Sequence, residues 1–336
     1  MSNDNIEPKI SIITCVYGAE KYIHKCLDSL IGQSYKNLEF VIVDDGSPDK
    51  CPEICDKYET KDARIHLIHQ KNAGYGVARN VGLAAATGDF VGFVDPDDWI
   101  KPDMMAGMAK AIMEHKADIV VCDWLTYNDL DEEHGLLHTQ HINNEEPFEE
   151  LRDSFLLDKH PNFLCNKLFA RRLFSGLTIP PDIVLGDLYV CGEIFARSRK
   201  IYYVPQGYYC YRVHASFANT RTKTRRKYGM FMSWREHERV CEVYKFTKAL
   251  SYCRWRAQKA AISLLTINSA QPYLDEKQLA DVKEYLKASS GRKSEKLSVK
   301  HLAQWWALEH APSLCKGIGQ LSVWNDEFKQ SHRFKK

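Results

Sequence analysis

The stretch Phe90-Val91-Gly92-Phe93-Val94-Asp95-Pro96-Asp97-Asp98-Trp99 decides the fold, because an apolar run of strand length ends in three carboxylates within four positions. Side chains alternate between the two faces of an extended backbone, so we expect Asp95 and Asp97 to point to the same side. Two carboxylates on one side suit Mg²⁺ or Mn²⁺, which proteins usually hold with one or two acidic side chains and the phosphates of a substrate. An isolated Asp-x-Asp pair can equally cap a following helix, so the rest of the chain has to decide between these interpretations.

The composition is that of a folded protein with a sizeable core. The chain has 336 residues, of which 44% are hydrophobic, and this length favours one large domain with a smaller one. It contains no apolar stretch of 18 or more residues and no signal-peptide pattern at its start, so we expect a soluble, cytoplasmic protein. The eleven cysteines are an odd number and stand mostly isolated in apolar segments, as is typical of reduced core thiols.

The charge is distributed unevenly along the chain. Residues 216–336 carry 24 Lys and Arg against 11 Asp and Glu, whereas residues 1–215 carry 22 against 33. The formal net charge of +2 therefore hides an acidic front and a basic back. Together with a change from alternating strands to long helical patterns, this predicts a first domain over residues 1–220 and a basic helical region over residues 221–336.

Strand-like and helix-like segments alternate in the first domain. Apolar, β-rich runs at residues 9–14, 39–43, 65–69 and 90–94 are each followed by a helical pattern. Such alternation, with near-continuous apolar strands, predicts an α/β fold with a mostly parallel, doubly wound sheet and helices on both faces. Ligands of such sheets bind outside the carboxyl ends of the strands, which is where the polar clusters of this chain stand. Neither G-x-G-x-x-G nor a Walker A sequence is present, so we expect neither a dinucleotide site nor a P-loop.

Four motifs carry a family resemblance. They are Ser11-Ile12-Ile13-Thr14-Cys15-Val16-Tyr17-Gly18-Ala19-Glu20, Val43-Asp44-Asp45-Gly46-Ser47, Asn72-Ala73-Gly74 with Ala78-Arg79-Asn80-Val81-Gly82, and Phe93-Val94-Asp95-Pro96-Asp97-Asp98. In this order and spacing they resemble the nucleotide-sugar domain of family 2 glycosyltransferases, which has the GT-A fold. The resemblance is close over about residues 8–125 and looser to about residue 220. It implies a bacterial, inverting enzyme that uses a UDP-sugar.

The resemblance also implies roles for single residues. Tyr17 would lie near the nucleotide base, Asp45 would accept a hydrogen bond from the uracil ring, and Arg79 would approach the base and the phosphates. Asp95 would contact the ribose side, and Asp97 would bind the metal. These roles fit the groups, because a carboxylate accepts from an imide N–H and a guanidinium forks onto phosphate. The full set implied for nucleotide-sugar binding is Cys15, Tyr17, Glu20, Asp45, Asn72, Gly74, Arg79, Asp95, Asp97 and Lys167.

Two positions of the first motif depart from the family pattern. Cys15 stands where Pro is common, and Gly18 stands where Asn is common. The detailed contacts of the base pocket therefore stay open. Each of these residues also has a structural alternative, since Tyr17 can belong to the core, Asp45 can cap the following helix, and Arg79 can pair with a helix neighbour.

Three further site residues come from the looser part of the resemblance. Lys167 stands in a segment that the family places close to the diphosphate, and its alternative is a solvated basic turn. Asp187 follows Gly186, where the family usually has Glu, and is implied as the general base; its alternative is a helix N-cap. His214 is implied as a metal ligand beside Asp97, although a lone histidine is more often structural.

The C-terminal region has helical patterning in which basic residues stand beside tryptophans. Clusters at residues 221–227 and 254–259 accompany Trp234, Trp255 and Trp305. This mixture suits an anionic membrane surface or a lipid-diphosphate acceptor, either of which would hold the protein at the inner face of the membrane. The alternatives are a solvated helical appendage and a homo-oligomer formed through these helices. No nucleic-acid-binding motif accompanies the clusters, so we do not expect nucleic acid as a partner.

Together with the paired aspartates, the family resemblance implies an inverting glycosyltransferase that uses Mn²⁺ or Mg²⁺. It would move a hexose or an N-acetylhexosamine from a UDP-sugar to an acceptor hydroxyl on a growing glycan, a glycoprotein or a lipid-linked saccharide. A non-catalytic nucleotide-sugar or glycan-binding module stays open, because Gly186 replaces an acid. A metal-dependent nucleotidyltransferase would also use paired aspartates, but it would normally have a basic glycine-rich loop where this chain has Gly18-Ala19-Glu20.

Overall fold

The computed structural model describes residues 7–137, 142–181, 183–213, 220–311 and 313–321, with the backbone alone at residues 220–224. The chain divides into two compact units. Residues 1–182 and 186–217 form the first unit, and residues 183–185 and 218–336 form the second.

In its described residues the first unit contains nine strands and six α-helices. The strands are β1 (Ile10–Val16), β2 (Leu38–Asp44), β3 (Ile65–His69), β4 (Phe90–Phe93), β5 (Trp99–Ile100), β6 (Ile119–Tyr127), β7 (Glu133–Leu137), β8 (Lys167–Ala170) and β9 (Ile201–Arg212). The helices are α1 (Ile23–Ile31), α2 (Cys51–Lys61), α3 (Tyr75–Ala85), α4 (Met104–His115), α5 (Phe148–Leu156) and α6 (Gly186–Arg197). A short 3-10 helix, Arg171–Phe174, follows β8.

The strands of the described residues join one sheet, in the order β3-β2-β1-β4-β8-β6-β9-β5, with β7 paired to β6. Parallel pairs join β3 to β2, β2 to β1, β1 to β4, and β6 to β9. β8 runs antiparallel between β4 and β6, so these two strands point the same way. Six strands therefore share one direction, and the sheet is mostly parallel as predicted. The reversed strands β5, β7 and β8 make it a mixed sheet.

Helices cover both faces because the central strands are apolar on both sides. Ile10 and Ile12 of β1, with Phe40 of β2, belong to a core that also contains residues of α1, α2 and α4. Ile13 of β1 and Val41 of β2 belong to a second core with residues of α3, α5 and α6. Every residue of β1 and β2 is buried. The continuous apolar runs of these strands are thus the reason that the sheet carries two helical layers.

The register brings the carboxyl ends of three strands together. Cys15 of β1 pairs with Val43 of β2, and Ile13 of β1 pairs with Phe93 of β4. The polar segments that follow these three parallel strands therefore emerge side by side at one edge of the sheet, as expected for a doubly wound fold.

A buried polar cluster ties together the opposite ends of the same strands. Glu39 of β2 accepts hydrogen bonds from Ser11 Oγ (2.5 Å) and from the backbone N–H and hydroxyl of Thr87 (both 2.6 Å), and its carboxylate lies 2.5 Å from Lys9 Nζ. Gly88 closes the cluster, because a Cβ there would lie 2.6 Å from Ser11 Oγ. Burial raises the pKa of Glu39, but these hydrogen bonds outweigh it and lower the pKa to about 2.

We expect Glu39→Gln to lower the free energy of unfolding by about 2 kcal/mol at pH 7, because the amide NH₂ would face donors on Thr87 or Lys9. A carboxyl whose pKa falls on folding stabilises the folded state above its unfolded pKa, and it loses this contribution as the pH drops. The stability advantage of the parent over Glu39→Gln should therefore shrink by about 2 kcal/mol between the unfolded pKa of 4.5 and about pH 3. Urea unfolding at pH 7, 4.5 and 3 measures this decrease. The same pH dependence in parent and variant would contradict the assignment to Glu39.

The second unit is helical in its described part. Its helices are α7 (Thr220–Val243), α8 (Thr247–Ala270), α9 (Glu276–Ser289) and α10 (Val299–His310), and residues 313–321 are also helical. Phe231 of α7, Ile262 of α8, Val282 of α9 and Trp305 of α10 pack into one core. The predicted C-terminal helical region is confirmed.

Two sequence expectations concern the whole chain. Within the described ranges, no helix combines the length and the hydropathy needed to span a bilayer. All eleven cysteines are free and buried, in agreement with core thiols.

Candidate active site

Asp45 stands directly after β2 and holds the loop that precedes α3. Its Oδ1 atom accepts hydrogen bonds from the side-chain amide of Gln70 (2.7 Å) and the backbone N–H of Ala73 (2.9 Å), and its Oδ2 atom accepts from the backbone N–H of Gly74 (2.9 Å). Asp45 is only 3% exposed. A carboxylate offers about four acceptor directions, so a uracil N–H at Asp45 would share it with these three donors. Asp45 therefore shapes the loop beside the predicted base pocket.

Two glycines let this loop approach the strand ends. Gly46 has a φ of +67°, and a Cβ on it would lie 2.7 Å from the backbone nitrogen of Asn72. Gly74 has a φ of +93° and immediately precedes α3. Both backbones adopt a conformation that is costly for residues with a Cβ. Asn72 lies between them and is exposed.

Arg79 joins three elements at the carboxyl end of the sheet. It lies on α3, is 2% exposed, and donates hydrogen bonds to Asp187 of α6 and to the hydroxyl of Tyr75. Its Nη2 atom lies 3.5 Å from Oδ1 of Asp95, which follows β4. Tyr75 donates to the same Asp95 oxygen, and its ring centroid lies 3.9 Å from the guanidinium carbon of Arg79. The residues predicted to bind phosphate, to contact the ribose side and to act as the base thus form one hydrogen-bonded cluster.

Tyr75 belongs to this cluster although it is not among the predicted site residues. It stands four residues before Arg79, so both side chains lie on one face of α3. That spacing is visible in the sequence, but the partner Asp95 is remote along the chain. Tyr75 is 44% exposed, so it lies at the surface of the site and not in the core.

The three carboxylates after β4 have different surroundings. Asp98 is 1% exposed and accepts hydrogen bonds from the hydroxyl of Tyr209 (2.7 Å) and the backbone N–H of Arg212 (2.8 Å), both on β9. Burial, and then the charges of Asp95 and Asp97, raise the pKa of Asp98 well above its usual value. Asp98 is therefore a structural group, whereas Asp95 and Asp97 are partly exposed.

Arg212 fixes the backbone of this acidic segment from β9. It is buried, and its Nε atom donates to the carbonyl oxygen of Asp97 (2.9 Å), while Nη1 donates to the carboxylate of Asp131. Its guanidinium carbon lies 4.8 Å and 4.9 Å from the ring centroids of Tyr22 and Trp99. Arg212 was not predicted as a site residue, because sequence alone does not distinguish a buried arginine from an exposed one.

The acidic segment fits a divalent metal in its chemistry. The described residues hold no group of three or more His, Cys, Asp or Glu side chains arranged around a metal. Asp98 is buried and bound by β9, so the partly exposed Asp95 and Asp97 are the carboxylates of this segment that a metal could reach. One or two carboxylates suffice for Mg²⁺ or Mn²⁺ when substrate phosphates supply further ligands. The other predicted ligand, His214, lies outside the described residues.

Asp187 stands in the first turn of α6, and its side chain is 20% exposed. Its Oδ1 atom accepts from Arg79, and its Oδ2 atom accepts from the backbone N–H of Leu164 (3.1 Å). Both partners are distant in sequence, so these bonds orient the carboxylate toward the cluster around Arg79. Gly186 has a steric explanation, because a Cβ there would lie 2.7 Å from Cγ2 of Ile179. A glutamate at this position would require Ile179 to move.

α3 also anchors the segment that leads to α6. The side chain of Asn80 accepts from the backbone N–H of Ile179 (2.9 Å) and donates to its carbonyl oxygen (2.8 Å). Gly76 allows close approach, since a Cβ there would lie 2.6 Å from the carbonyl oxygen of Pro180. The helix that carries Arg79 thereby positions the chain just before Asp187.

Three predicted residues lie at the end of β1 or just beyond it. Cys15 is buried in the strand, and burial raises the pKa of its thiol to about 12. Tyr17 is 54% exposed, so its ring is accessible. Glu20 accepts from the backbone N–H of Lys50 (3.4 Å), and its Oε1 atom lies 3.7 Å from Lys50 Nζ. Their contacts with a nucleotide stay predictions.

Lys167 is buried on β8, so the alternative of a solvated basic turn is wrong. Its Nζ atom donates to the carbonyl oxygen of Phe163 (3.0 Å) and to Oδ1 of Asn166 (2.9 Å). Burial lowers the pKa of Lys167. These bonds brace the segment whose Leu164 N–H binds Asp187. A contact between Lys167 and the diphosphate stays a prediction.

Residues 11–177 match the family model described as Glycosyl transferase family 2. The chain belongs to glycosyltransferase family 2. Membership of this family supports glycosyl transfer from a nucleotide sugar. The matched residues include all four motifs, whereas Asp187 lies beyond them.

Relatives of this family 2 glycosyltransferase occur in bacteria. It is 36% identical over 219 residues to glycosyltransferase GlyA of Streptococcus pneumoniae serotype 4, and the match covers 62% of this chain but only 31% of GlyA. Glycosyltransferase GlyG of the same strain is 27% identical over 294 residues, covering 82% of this chain and 92% of GlyG. The poly(ribitol-phosphate) beta-N-acetylglucosaminyltransferase TarS of Staphylococcus aureus is 39% identical over 116 residues, which are 34% of this chain and 20% of TarS.

Solved structures establish the fold. The crystal structure of S. aureus TarS residues 1–349 has a TM-score of 0.66 at 20% identity and covers 94% of this chain and 92% of that one. Its complex with UDP-GlcNAc has a TM-score of 0.59 at 19% identity, covering 84% and 92%. The mannosyltransferase PcManGT of Pyrobaculum calidifontis, solved with GDP-Man and Mn²⁺, has a TM-score of 0.53 at 17% identity, covering 95% and 88%. The predicted GT-A fold is confirmed.

Proposed function

We propose that this protein is an inverting transferase that moves a hexose or an N-acetylhexosamine from a UDP-sugar to a hydroxyl of a glycan, a glycoprotein or a lipid-linked saccharide. One observation carries the proposal. The buried guanidinium of Arg79 contacts Asp187, Asp95 and Tyr75 at the carboxyl ends of the parallel strands. The cation Arg79, the acid Asp95 on the donor side and the acid Asp187 on the acceptor side therefore lie in one site.

The donor side of the site would bind the nucleotide. Asp45, at the end of β2, would accept from the uracil, with the exposed Tyr17 ring beside it. Arg79 would turn its fork toward the diphosphate, because a guanidinium binds phosphate oxygens with two parallel hydrogen bonds. A UDP-sugar as donor is supported by the TarS complex with UDP-GlcNAc, which shares the fold.

Asp97, with Asp95, would hold Mn²⁺ or Mg²⁺ against the diphosphate. The bound metal would neutralise the charge that develops on the departing UDP. The PcManGT complex, which contains Mn²⁺, supports a metal in this fold. Arg212 would support the arrangement, because it holds the carbonyl oxygen of Asp97.

Asp187 would accept the proton of the attacking hydroxyl. An acceptor hydroxyl that attacks from the face opposite the leaving UDP inverts the anomeric carbon in a single displacement. The carboxylate is held by Arg79 and by the N–H of Leu164. When Arg79 binds a diphosphate, one oxygen of Asp187 would lose a donor and become available to the hydroxyl.

The same contacts favour a second candidate, a non-catalytic module that binds nucleotide sugars. Both oxygens of Asp187 already accept hydrogen bonds, and Gly186 stands where the family usually has an acid. Such a module would bind a UDP-sugar without releasing UDP. The two candidates therefore differ in turnover and not in binding.

The function can be tested by measuring, for each of four UDP-sugars, both its binding to the protein and the release of UDP from it. With Mn²⁺ present, we expect one among UDP-glucose, UDP-galactose and their two N-acetyl analogues to stabilise the protein, by about 2.7 kcal/mol at 100 times its dissociation constant. The same donor should release UDP slowly by transfer to water. EDTA should remove both effects, and GDP-mannose serves as the matched nucleotide control. Stabilisation without UDP release would favour the binding module, and stabilisation by none of the four would contradict a UDP-sugar donor.

The partners of the second unit also stay proposals. Its basic helices suit either the anionic inner surface of a membrane, for a protein located in the cytoplasm, or a homo-oligomer. Flotation with anionic vesicles and light scattering distinguish these partners.

A further inference from the structure

A basic pocket lies between α7 and α8 in the second unit. Arg226 and Lys227 of α7 face Arg256 and Lys259 of α8 across it, and Trp255 forms part of its wall. Its volume is about 580 Å³. We call this the basic pocket. The size lies within the range of small-molecule and cofactor sites, which is about 300–1,000 Å³.

The basic pocket concentrates positive charge. No Asp or Glu is among its described lining residues, which include four cationic side chains. Of its cations, Lys259 also acts on His301 at the start of α10, where burial, the larger cause, and then the charges of Lys259 and Lys300 lower the pKa. Four cations in a concave site attract a ligand that carries more than one negative charge.

Aromatic rings hold two of these cations in place. Lys259 Nζ lies 5.1 Å from the ring centroid of Trp255, and the guanidinium carbon of Arg256 lies 4.2 Å from that of Trp234. The Arg256 Nη1 atom also donates to the hydroxyl of Tyr252 (2.6 Å). Side chains held in this way lose less entropy on binding than free ones. The partly buried Trp255 gives a sugar ring an apolar surface beside the cations.

We propose that the basic pocket binds a phosphate-bearing saccharide chain, which serves as the acceptor. The proposal rests on the proposed function, since it names the acceptor class of the same enzyme. Cations recognise the phosphate groups, and the partly exposed side chain of Trp255 offers an apolar contact to the sugar between them. A long chain bound in this pocket is tethered to the protein that carries the active site. This tethering raises the effective concentration of the chain's hydroxyl groups.

The pocket fits a chain better than a membrane surface. Membrane binding by a helix uses exposed apolar side chains next to cations. Exposed apolar side chains of the second unit, Val299, Leu302 and Trp306 of α10, do not line the basic pocket. An open concave site between two helices can hold part of a chain, whereas a bilayer presents a broad flat surface.

The test compares charge reversal inside and outside the pocket. Arg226→Glu/Lys259→Glu reverses two exposed cations of the pocket, and Lys248→Glu/Lys277→Glu reverses two exposed lysines of the same unit that do not line it. Calorimetry with poly(ribitol phosphate), with uncharged dextran and with phosphatidylglycerol vesicles measures binding. We expect the parent and the control to bind poly(ribitol phosphate) equally, in a salt-dependent manner, and the pocket variant to bind it at least tenfold more weakly.

Uncharged dextran should show no binding at the concentrations at which poly(ribitol phosphate) binds the parent. The proposal would be overturned if the pocket variant bound poly(ribitol phosphate) as tightly as the parent does, or if the parent did not bind it at all. Binding of vesicles but not of poly(ribitol phosphate) would also overturn it and assign the pocket to a membrane. UDP-sugar turnover to water, measured on the same proteins, should be unchanged. A parent that lacks this turnover would refute the proposed function, whether or not the pocket binds phosphate.

Discussion

Asp97→Asn is expected to weaken Mn²⁺-dependent UDP binding at least about 100-fold. The substitution keeps the size of the side chain and removes its charge, so a divalent metal loses a hard anionic ligand. The diphosphate then loses the cation that would offset its own charge. Calorimetry of UDP binding with and without Mn²⁺ measures the effect, and UDP-sugar turnover should fall with it.

The fold should tolerate this substitution. The backbone of Asp97 is held from β9, where Arg212 Nε binds its carbonyl oxygen at 2.9 Å. The next residue, Asp98, is fixed by Tyr209 and by the N–H of Arg212. These contacts remain in Asp97→Asn, and the amide keeps the size of the side chain, so the midpoint of thermal unfolding should change by a few degrees at most.

Asp103→Asn is a matched control for this prediction. Asp103 follows the same acidic segment, is exposed, and accepts a hydrogen bond from Ser34 Oγ at 2.8 Å. The Asp103→Asn substitution also removes one negative charge, but it does not change the cluster around Arg79. Its UDP binding should therefore stay within about twofold of the parent. If Asp97→Asn bound UDP with Mn²⁺ as tightly as Asp103→Asn, the assignment of Asp97 to the metal would be wrong.

The strands could be predicted from the sequence because of their apolar continuity. β1 and β2 are buried along their whole length, and only strands covered on both faces have such a pattern. The reversed strand β8, Lys167–Ala170, could not be predicted in the same way. It is only four residues long, and its direction depends on pairing with β4 and β6, which are remote along the chain.

The site could be predicted where motifs stand at strand ends. Asp45 and Asp95 follow β2 and β4, the two parallel strands that flank β1, so their placement at one edge of the sheet follows from the fold class. Tyr75 and Arg212 could not be recognised, because their roles come from partners more than fifteen residues away. For Lys167 the sequence left a diphosphate contact and a solvated basic turn as alternatives, and it could not show that the side chain is buried in a strand.

Asp187→Asn is expected to lower turnover about 100-fold or more while UDP binding stays within about threefold of the parent. A general base must accept a proton, and an amide cannot. The amide oxygen can still accept from Arg79, although its NH₂ group would then face the N–H of Leu164. We therefore expect a small loss of stability, of about 1 kcal/mol, beside the large loss of turnover.

Glu193→Gln is the control that separates the base from a merely structural acid on α6. Glu193 lies on the same helix, is buried, and pairs with Arg197 at 2.9 Å. Its substitution also removes one charge and strains a local contact, but it leaves Asp187 intact, so turnover should stay near the parental value. If both variants lost turnover in proportion to their stability, the role of Asp187 would be structural. If Asp187→Asn kept near-parental turnover, the proton acceptor would have to be another acid. That acid would be Glu193 if Glu193→Gln lost turnover, and otherwise Asp182, which lies outside the described residues, would be tested next.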